Sequence, residues 1–210
     1  LVSGSFVSPE LRAKVRGLAE PVGRLFVRLG LSPNAITVIG FGIAVIAAVV
    51  AGLQAWLPAG LLIIFGGIFD MFDGMVARAT NTTSKAGAFM DSTFDRWGEG
   101  VVYIGLTAGC LFAGYDLGAI LSAAAMSMAF MVSYTRARAE SLGFAPGSGM
   151  AAVGLAPREV RLVILTIGVC LAGVNIGILG FTLGLIAVLA AITTVQRVVV
   201  TLKQAAQQQG

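Results

Sequence analysis

The stretch FDMFDGMVARATNTTSKAGAFMDSTFDRWGE, residues 69–99, decides how the chain folds and where its chemistry lies. Four aspartates, Asp70, Asp73, Asp91 and Asp95, sit in or against segments apolar enough to cross a bilayer. An ionisable side chain at such a place is costly and marks a functional site. Asp70 and Asp73 are three residues apart, and Asp91 and Asp95 four apart, so each pair shares one helix face. The polar residues 80–85 between them form a short loop. The two helices are therefore antiparallel neighbours whose acidic faces can meet. Four carboxylates so close cannot all stay ionised without cations. Oxygen-only ligands favour a hard divalent ion, Mg²⁺ or Mn²⁺. Gly74 and Gly87 remove side chains beside the carboxylates and admit a backbone or a flat ligand. Arg78 and Lys85 stand at the mouth of the hairpin, suited to phosphate oxygens.

The flanking sequence sets this hairpin in a membrane. Of 210 residues, 57% are hydrophobic and 11% charged, and the mean hydropathy is +0.92. Soluble domains are roughly a quarter charged, so the expected class is an all-α integral membrane protein. No repeated strand-like alternation supports a β-barrel. The 28 glycines suit close helix contacts in lipid. With no histidine in the chain, proton transfer falls to a carboxylate, Lys, Tyr, Cys or water. Cys110 and Cys170 lie in apolar runs without metal-type spacing and read as small buried hydrophobes. The opening residues lack the charged n-region, apolar core and cleavage site of a signal peptide, and none is expected.

Three regions are expected: a juxtamembrane helix at 1–30, a six-helix transmembrane catalytic domain at 31–202 and an unordered polar tail at 203–210. In the first, Arg12, Lys14, Arg16, Arg24 and Arg28 alternate with apolar residues. That makes an amphipathic interfacial helix with a cationic face for an anionic leaflet, kinked or broken at Pro21. Leu31-Ser-Pro-Asn34 is a helix start. Six transmembrane helices are expected at 35–53, 57–77, 87–113, 117–140, 158–173 and 176–202, each near the ~20 residues a crossing needs. The 14 Lys and Arg fall in the N-terminal helix, around the second-to-third and fourth-to-fifth loops, and at the C-terminal end. The other three connections carry none. The positive-inside rule then puts both termini and the aspartate hairpin in the cytoplasm of a multi-pass cell-membrane protein.

The pattern Asp70-x-x-Asp73-Gly74-x-x-Ala77-Arg78, eight residues, Gly87-x-x-x-Asp91-x-x-x-Asp95 resembles the signature of the CDP-alcohol phosphotransferase family at every fixed position. The resemblance runs along most of the chain and includes Leu31-Ser-Pro-Asn34-x-x-Thr37. It implies transfer of a phosphoryl-alcohol group from a CDP-linked lipid, such as CDP-diacylglycerol, to a second alcohol, with release of CMP. It further implies that Asp70, Asp73 and Asp91 ligate metal, with Asp95 as a further ligand and the general base. Asn34, Thr37, Gly74, Arg78 and Ser84 match positions that hold the nucleotide and diphosphate, and Ala77 and Gly87 complete that set. A homodimer is expected on the same ground, and no nucleic-acid partner.

A second basic cluster shares the cytoplasmic side: Arg136 and Arg138 ending the fourth span, Arg158 and Arg161 opening the fifth, and Gln196-Arg197 near the end of the sixth. Flanking charge that snorkels to headgroups accounts for some of them. These segments also resemble those of the prokaryotic members that use inositol phosphate, the phosphatidylinositol phosphate synthases. That resemblance implies that Arg138, Arg161, Arg197 and, less directly, Arg136 bind the acceptor's phosphate. One departure is visible: Pro157 stands ahead of Arg158 where those members carry an acidic residue. Two alternatives stay open. One is a phosphatidylglycerophosphate synthase with glycerol 3-phosphate as acceptor. The other is a cation-binding membrane transporter, against which stands the lack of a second copy of the aspartate hairpin.

Overall fold

Capping chemistry sets the helix starts. In the computed structural model, which describes residues 21–144, 149–150 and 153–209, Ser32 Oγ accepts from Ala35 N at 3.2 Å and Pro33 opens the helix. Ser84 Oγ does the same for Gly87 N at 3.0 Å. The described residues contain eight α-helices and no strand. They are α1 (21–28), α2 (Pro33–Gly52), α3 (Trp56–Phe69), α4 (Met71–Ala79), α5 (Lys85–Phe112), α6 (Asp116–Ser141), α7 (Arg158–Leu171) and α8 (Ile176–Gln209). The break foreseen after the fifth predicted span lies at 172–175.

Three expectations change. First, the second predicted span is two helices, α3 and α4, which meet at Asp70. Second, among the described residues four of the six expected spans lie on helical runs long and apolar enough to cross a membrane: Pro33–Gly52, Trp56–Ala79, Asp116–Ser141 and Ile176–Gln208. The first half of α5 carries Asp91, Asp95, Arg96 and Glu99 and is too charged to qualify. α7 has 14 residues, a rod of about 21 Å against an apolar core of about 30 Å. Third, the tail is ordered: α8 continues through Gln209. Its Lys, Gln and Ala residues are strong helix formers and extend the helix beyond the apolar run. The expectation for residues 1–20, including Arg12, Lys14 and Arg16, lies outside the described residues. The described part of that helix docks through Phe26, whose ring lies 5.5 Å from Phe69 and 5.3 Å from Phe72.

The six long elements close into a ring in the spatial order α2, α3, α7, α8, α6, α5, with α5 returning to α2. Leu106, Leu165, Leu179, Leu183 and Ile186 fill its interior. The outward faces carry Ile46, Val49, Leu61, Phe112, Phe181 and Val188, each more than half exposed. Such a surface suits lipid rather than water.

The tightest seam is between α2 and α5. A Cβ on Gly105 would lie 2.2 Å from the Ala48 carbonyl oxygen, and one on Gly109 would lie 2.3 Å from that of Ala51. These glycines, four apart, bring the two backbones together as small residues do between membrane helices. This seam places Thr37 of α2 beside the acidic helices. Gly105→Ala should therefore force the helices apart and destabilise the fold by about 1–3 kcal/mol. Thermal unfolding in detergent, followed by circular dichroism, would show this as a lowered midpoint.

Candidate active site

Acidic side chains from the hairpin converge at one end of the ring. Asp70, Asp91 and Asp95 each offer a carboxylate oxygen, and these oxygens lie within 4.8 Å of one another. Oxygens around a six-coordinate Mg²⁺ or Mn²⁺ lie roughly 3–4 Å apart, so a small closure would fit the three to one hard cation. Asp95 Oδ1 is buried and has no hydrogen-bond partner among the described residues, as a ligand atom for an ion would be. Asp73 is outside this group. It is 6% exposed, with Thr37 Oγ1 donating to its Oδ2 at 2.8 Å and Gly74 N donating to its Oδ1 at 2.5 Å.

Two polar cavities flank the carboxylates, and Asp91 lines both. The first, of about 550 Å³, is lined by Asn34, Thr37, Gly74, Ala77, Arg78, Ser84 and Gly87. These are the residues foreseen on the CDP-lipid side, and Asp73 joins them. The opening turns of α2 and α5 both border this cavity. Their helix dipoles favour an anion there. A Cβ at Gly74 would lie 3.2 Å from Arg78 Nη1, so the bare glycine leaves room for the guanidinium.

The second cavity, of about 740 Å³, is lined by Arg96, Arg136, Arg158, Arg161 and Arg197, together with Asp91 and Asp95. Arg161 is 2% exposed. It donates from Nε and Nη2 to Glu99 Oε1 at 3.2 and 2.8 Å, and from Nη1 to the Ala156 carbonyl at 2.9 Å. Arg197 donates from Nε to the Val153 carbonyl at 3.0 Å and from Nη1 to that of Val132. Thr193 Oγ1 accepts from the N–H groups of Leu155 and Ala156 and fixes the loop that carries the Val153 and Ala156 carbonyls. Arg136 is half exposed and paired with Glu140 at 3.1 Å. Arg138 is exposed and does not line the cavity. The two arginines are two positions apart on α6, about 200° around a helix, so only one can face inward.

Two residues outside the expected set are central. Arg158 Nη1 donates to Asp70 Oδ2 at 2.6 Å and to Asp95 Oδ2 at 2.7 Å. Glu99 holds Arg161 and also accepts from Arg96 Nη1, whose second partner is Ser133 Oγ at 3.0 Å. Spacing would have found Glu99, since Asp91, Asp95 and Glu99 repeat every four residues along one face of α5.

Two cavities meet at an acidic centre, one carrying Arg78 and the other five arginines, in a bundle with a lipid-facing surface. The family model for CDP-alcohol phosphatidyltransferases matches residues 30–202. The chain belongs to that family and is a multi-pass transferase of phospholipid biosynthesis, which sets aside the transporter alternative. It is 36% identical over 189 residues to the archaetidylinositol phosphate synthase of Pyrococcus horikoshii, covering 90% of this chain and 93% of that protein. It is 35% identical over 195 residues to the phosphatidylinositol phosphate synthase of Mycolicibacterium smegmatis, covering 89% and 85%. The crystal structure of the Mycobacterium tuberculosis phosphatidylinositol phosphate synthase with CDP-DAG bound superposes with a TM-score of 0.78 at 29% identity, covering 86% of this chain and 92% of that one. The same enzyme in complex with manganese and citrate gives 0.77 at 29% identity, covering 86% and 87%.

The Glu99–Arg161 pair is buried, and removing one member strands the other. Glu99→Ala should cost about 3–5 kcal/mol of stability. Glu99→Leu combined with Arg161→Met should recover a large part of that loss. A double-mutant cycle on the detergent-purified protein, read from denaturation midpoints, would give the coupling.

Proposed function

We propose that the protein transfers the phosphatidyl-type group of a CDP-linked lipid, CDP-diacylglycerol or its ether counterpart, to inositol 1-phosphate and releases CMP. The observation that carries this reading is the pair of cavities meeting at Asp91, one bordered by two helix N-termini and Arg78, the other by arginines. The two relatives described above are named for different lipids but the same inositol phosphate product. That favours inositol phosphate over glycerol 3-phosphate, which remains the alternative acceptor.

The nucleotide and diphosphate lie in the first cavity, against Asn34, Thr37, Gly74, Ala77, Arg78, Ser84 and Gly87. The acceptor's phosphate lies in the second, met by Arg136, Arg161 and Arg197. Asp70, Asp73, Asp91 and Asp95 would hold divalent metal, Mg²⁺ or Mn²⁺, which supplies neutralising charge to the diphosphate when bound. Asp95, which lines the second cavity, takes the proton from the acceptor hydroxyl. The freed oxygen bonds to the lipid-side phosphorus as that phosphorus loses its bond to the bridging oxygen, which leaves with CMP. Burial around Asp95 keeps competing water from the reacting phosphorus.

In this reading all six helices of the ring cross the bilayer and form one catalytic domain over 31–202. α7 and the charged half of α5 border the polar cavity, so neither needs a wholly apolar span. The basic ends face the cytoplasm with both termini, and residues 21–30 lie along the leaflet, where Leu25 and Leu29 are exposed. Lipid tails enter from the bilayer side, and two copies form a homodimer.

An acceptor screen tests the reading. Purified protein with CDP-diacylglycerol and Mg²⁺ should release CMP with inositol 1-phosphate and not with free inositol or serine. Release with glycerol 3-phosphate alone would keep the transfer chemistry and change the acceptor. Asp95→Asn should lower kcat by about 10²- to 10⁴-fold while Mn²⁺ binding, measured by calorimetry, largely survives. Arg136→Ala and Arg197→Ala should raise the KM for the acceptor by roughly tenfold or more and that for the CDP-lipid much less.

A further inference from the structure

Arg158 is the first residue of α7, and one of its nitrogens ties together two of the three clustered carboxylates. Nη1 reaches Asp70 on the α3–α4 junction and Asp95 on α5, so a single N–H-bearing atom bridges two helices. The oxygens it engages belong to the residues that could hold a divalent ion. Asp91, the third member, makes no hydrogen bond or ion pair among the described residues. A carboxylate oxygen at 2.6–2.7 Å from a guanidinium nitrogen cannot also sit about 2.1 Å from an ion on the same side. Two cations in that space would also repel. Arg158 and the metal therefore exclude each other from Asp70 Oδ2 and Asp95 Oδ2, and an ion that draws on both oxygens of these carboxylates must displace the guanidinium.

The guanidinium has somewhere to go. Arg158 also lines the second cavity, beside Arg136, Arg161 and Arg197. Arg161 and Arg197 are already tied to Glu99 and to backbone carbonyls. Among the cavity's arginines Arg158 holds two of the clustered aspartates, at 2.6 and 2.7 Å, whereas Arg96 reaches Asp95 Oδ2 at 3.6 Å and is held by Glu99.

We propose that Arg158 is an internal competitor for the metal: it neutralises Asp70 and Asp95 until a divalent cation, docking first on open Asp91, displaces it into the second cavity. Arg158 is then a positioning residue that couples the two halves of the site. An anion that draws its guanidinium into the second cavity favours metal binding, and metal binding readies the cavity for an anion, by the same factor in each direction. The inference rests on the reading of these aspartates as metal ligands.

The test is Mn²⁺ binding alone, by isothermal titration calorimetry, to the full chain in detergent. Arg158→Gln and Arg158→Ala are compared with the unaltered protein. Both variants should bind Mn²⁺ more tightly, by roughly fivefold or more, the lower end of ordinary coupling between two ligands. A merely structural role for Arg158 would weaken binding or leave it unchanged, and either result would overturn the proposal. Arg158→Lys keeps the charge but loses the planar fork, and it should fall between the unaltered protein and Arg158→Gln. Absence of Mn²⁺ binding in all the proteins would overturn the metal reading itself and the proposal with it. Binding of equal strength in all would overturn the proposal alone.

Discussion

Carboxylates inside an apolar bundle must be matched by positive charge, and the surroundings of this site answer to that demand. Asp70 and Asp95 share Arg158. Glu99 shares Arg96 and Arg161. Asp73 is held instead by a hydroxyl and a backbone N–H. Buried pairs of this kind add little net stability, because desolvation offsets most of their attraction. Their value is in position: each fixes a side chain whose displacement would strand a charge. The site is thus rigid where pairing is complete, around Arg161 and Glu99, and open where it is incomplete, at Asp91 and at Asp95 Oδ1.

The helices around this core are arranged to carry that load. Glycines at the α2–α5 seam trade side-chain packing for backbone proximity, and at the other end of α2 Thr37 reaches Asp73 of α4. The starts of α2 and α5 meet at the first cavity, where their dipoles add a field no side chain supplies. α7 is short because it begins at the site, with Arg158 and Arg161 in its first turn. What makes α5 poor as a membrane span is the same set of charged residues that forms the site, while α7 is too short.

The first cavity was legible in the sequence because it is local. Its residues lie between 27 and 91, and two serine caps and the spacing of four aspartates fix which way they face. The second was only half legible. Arg161 and Arg197 line it as expected, but the choice between Arg136 and Arg138 depends on the rotation of α6, set by its packing on α5 and α8. No sequence period near residues 133–140 reveals that rotation. The pairing of Arg158 with Asp70 joins residues 88 apart in the chain, a contact that follows from ring closure alone. The helical tail is hidden for another reason: its polar composition resembles that of disordered segments, although Lys, Gln and Ala are good helix formers.

Chain order divides the two cavities. The first draws on residues up to Asp91 and the second on residues from Asp91 onward, so among the described residues one aspartate is the only lining residue they share. On the proposed reading, the N-terminal segment carries the walls that grip the leaving group and the C-terminal helices those that meet the incoming alcohol, with the Arg158–Asp70 pair joining them. Substitutions in α6, α7 and α8 would then remodel the acceptor side while preserving one activation chemistry.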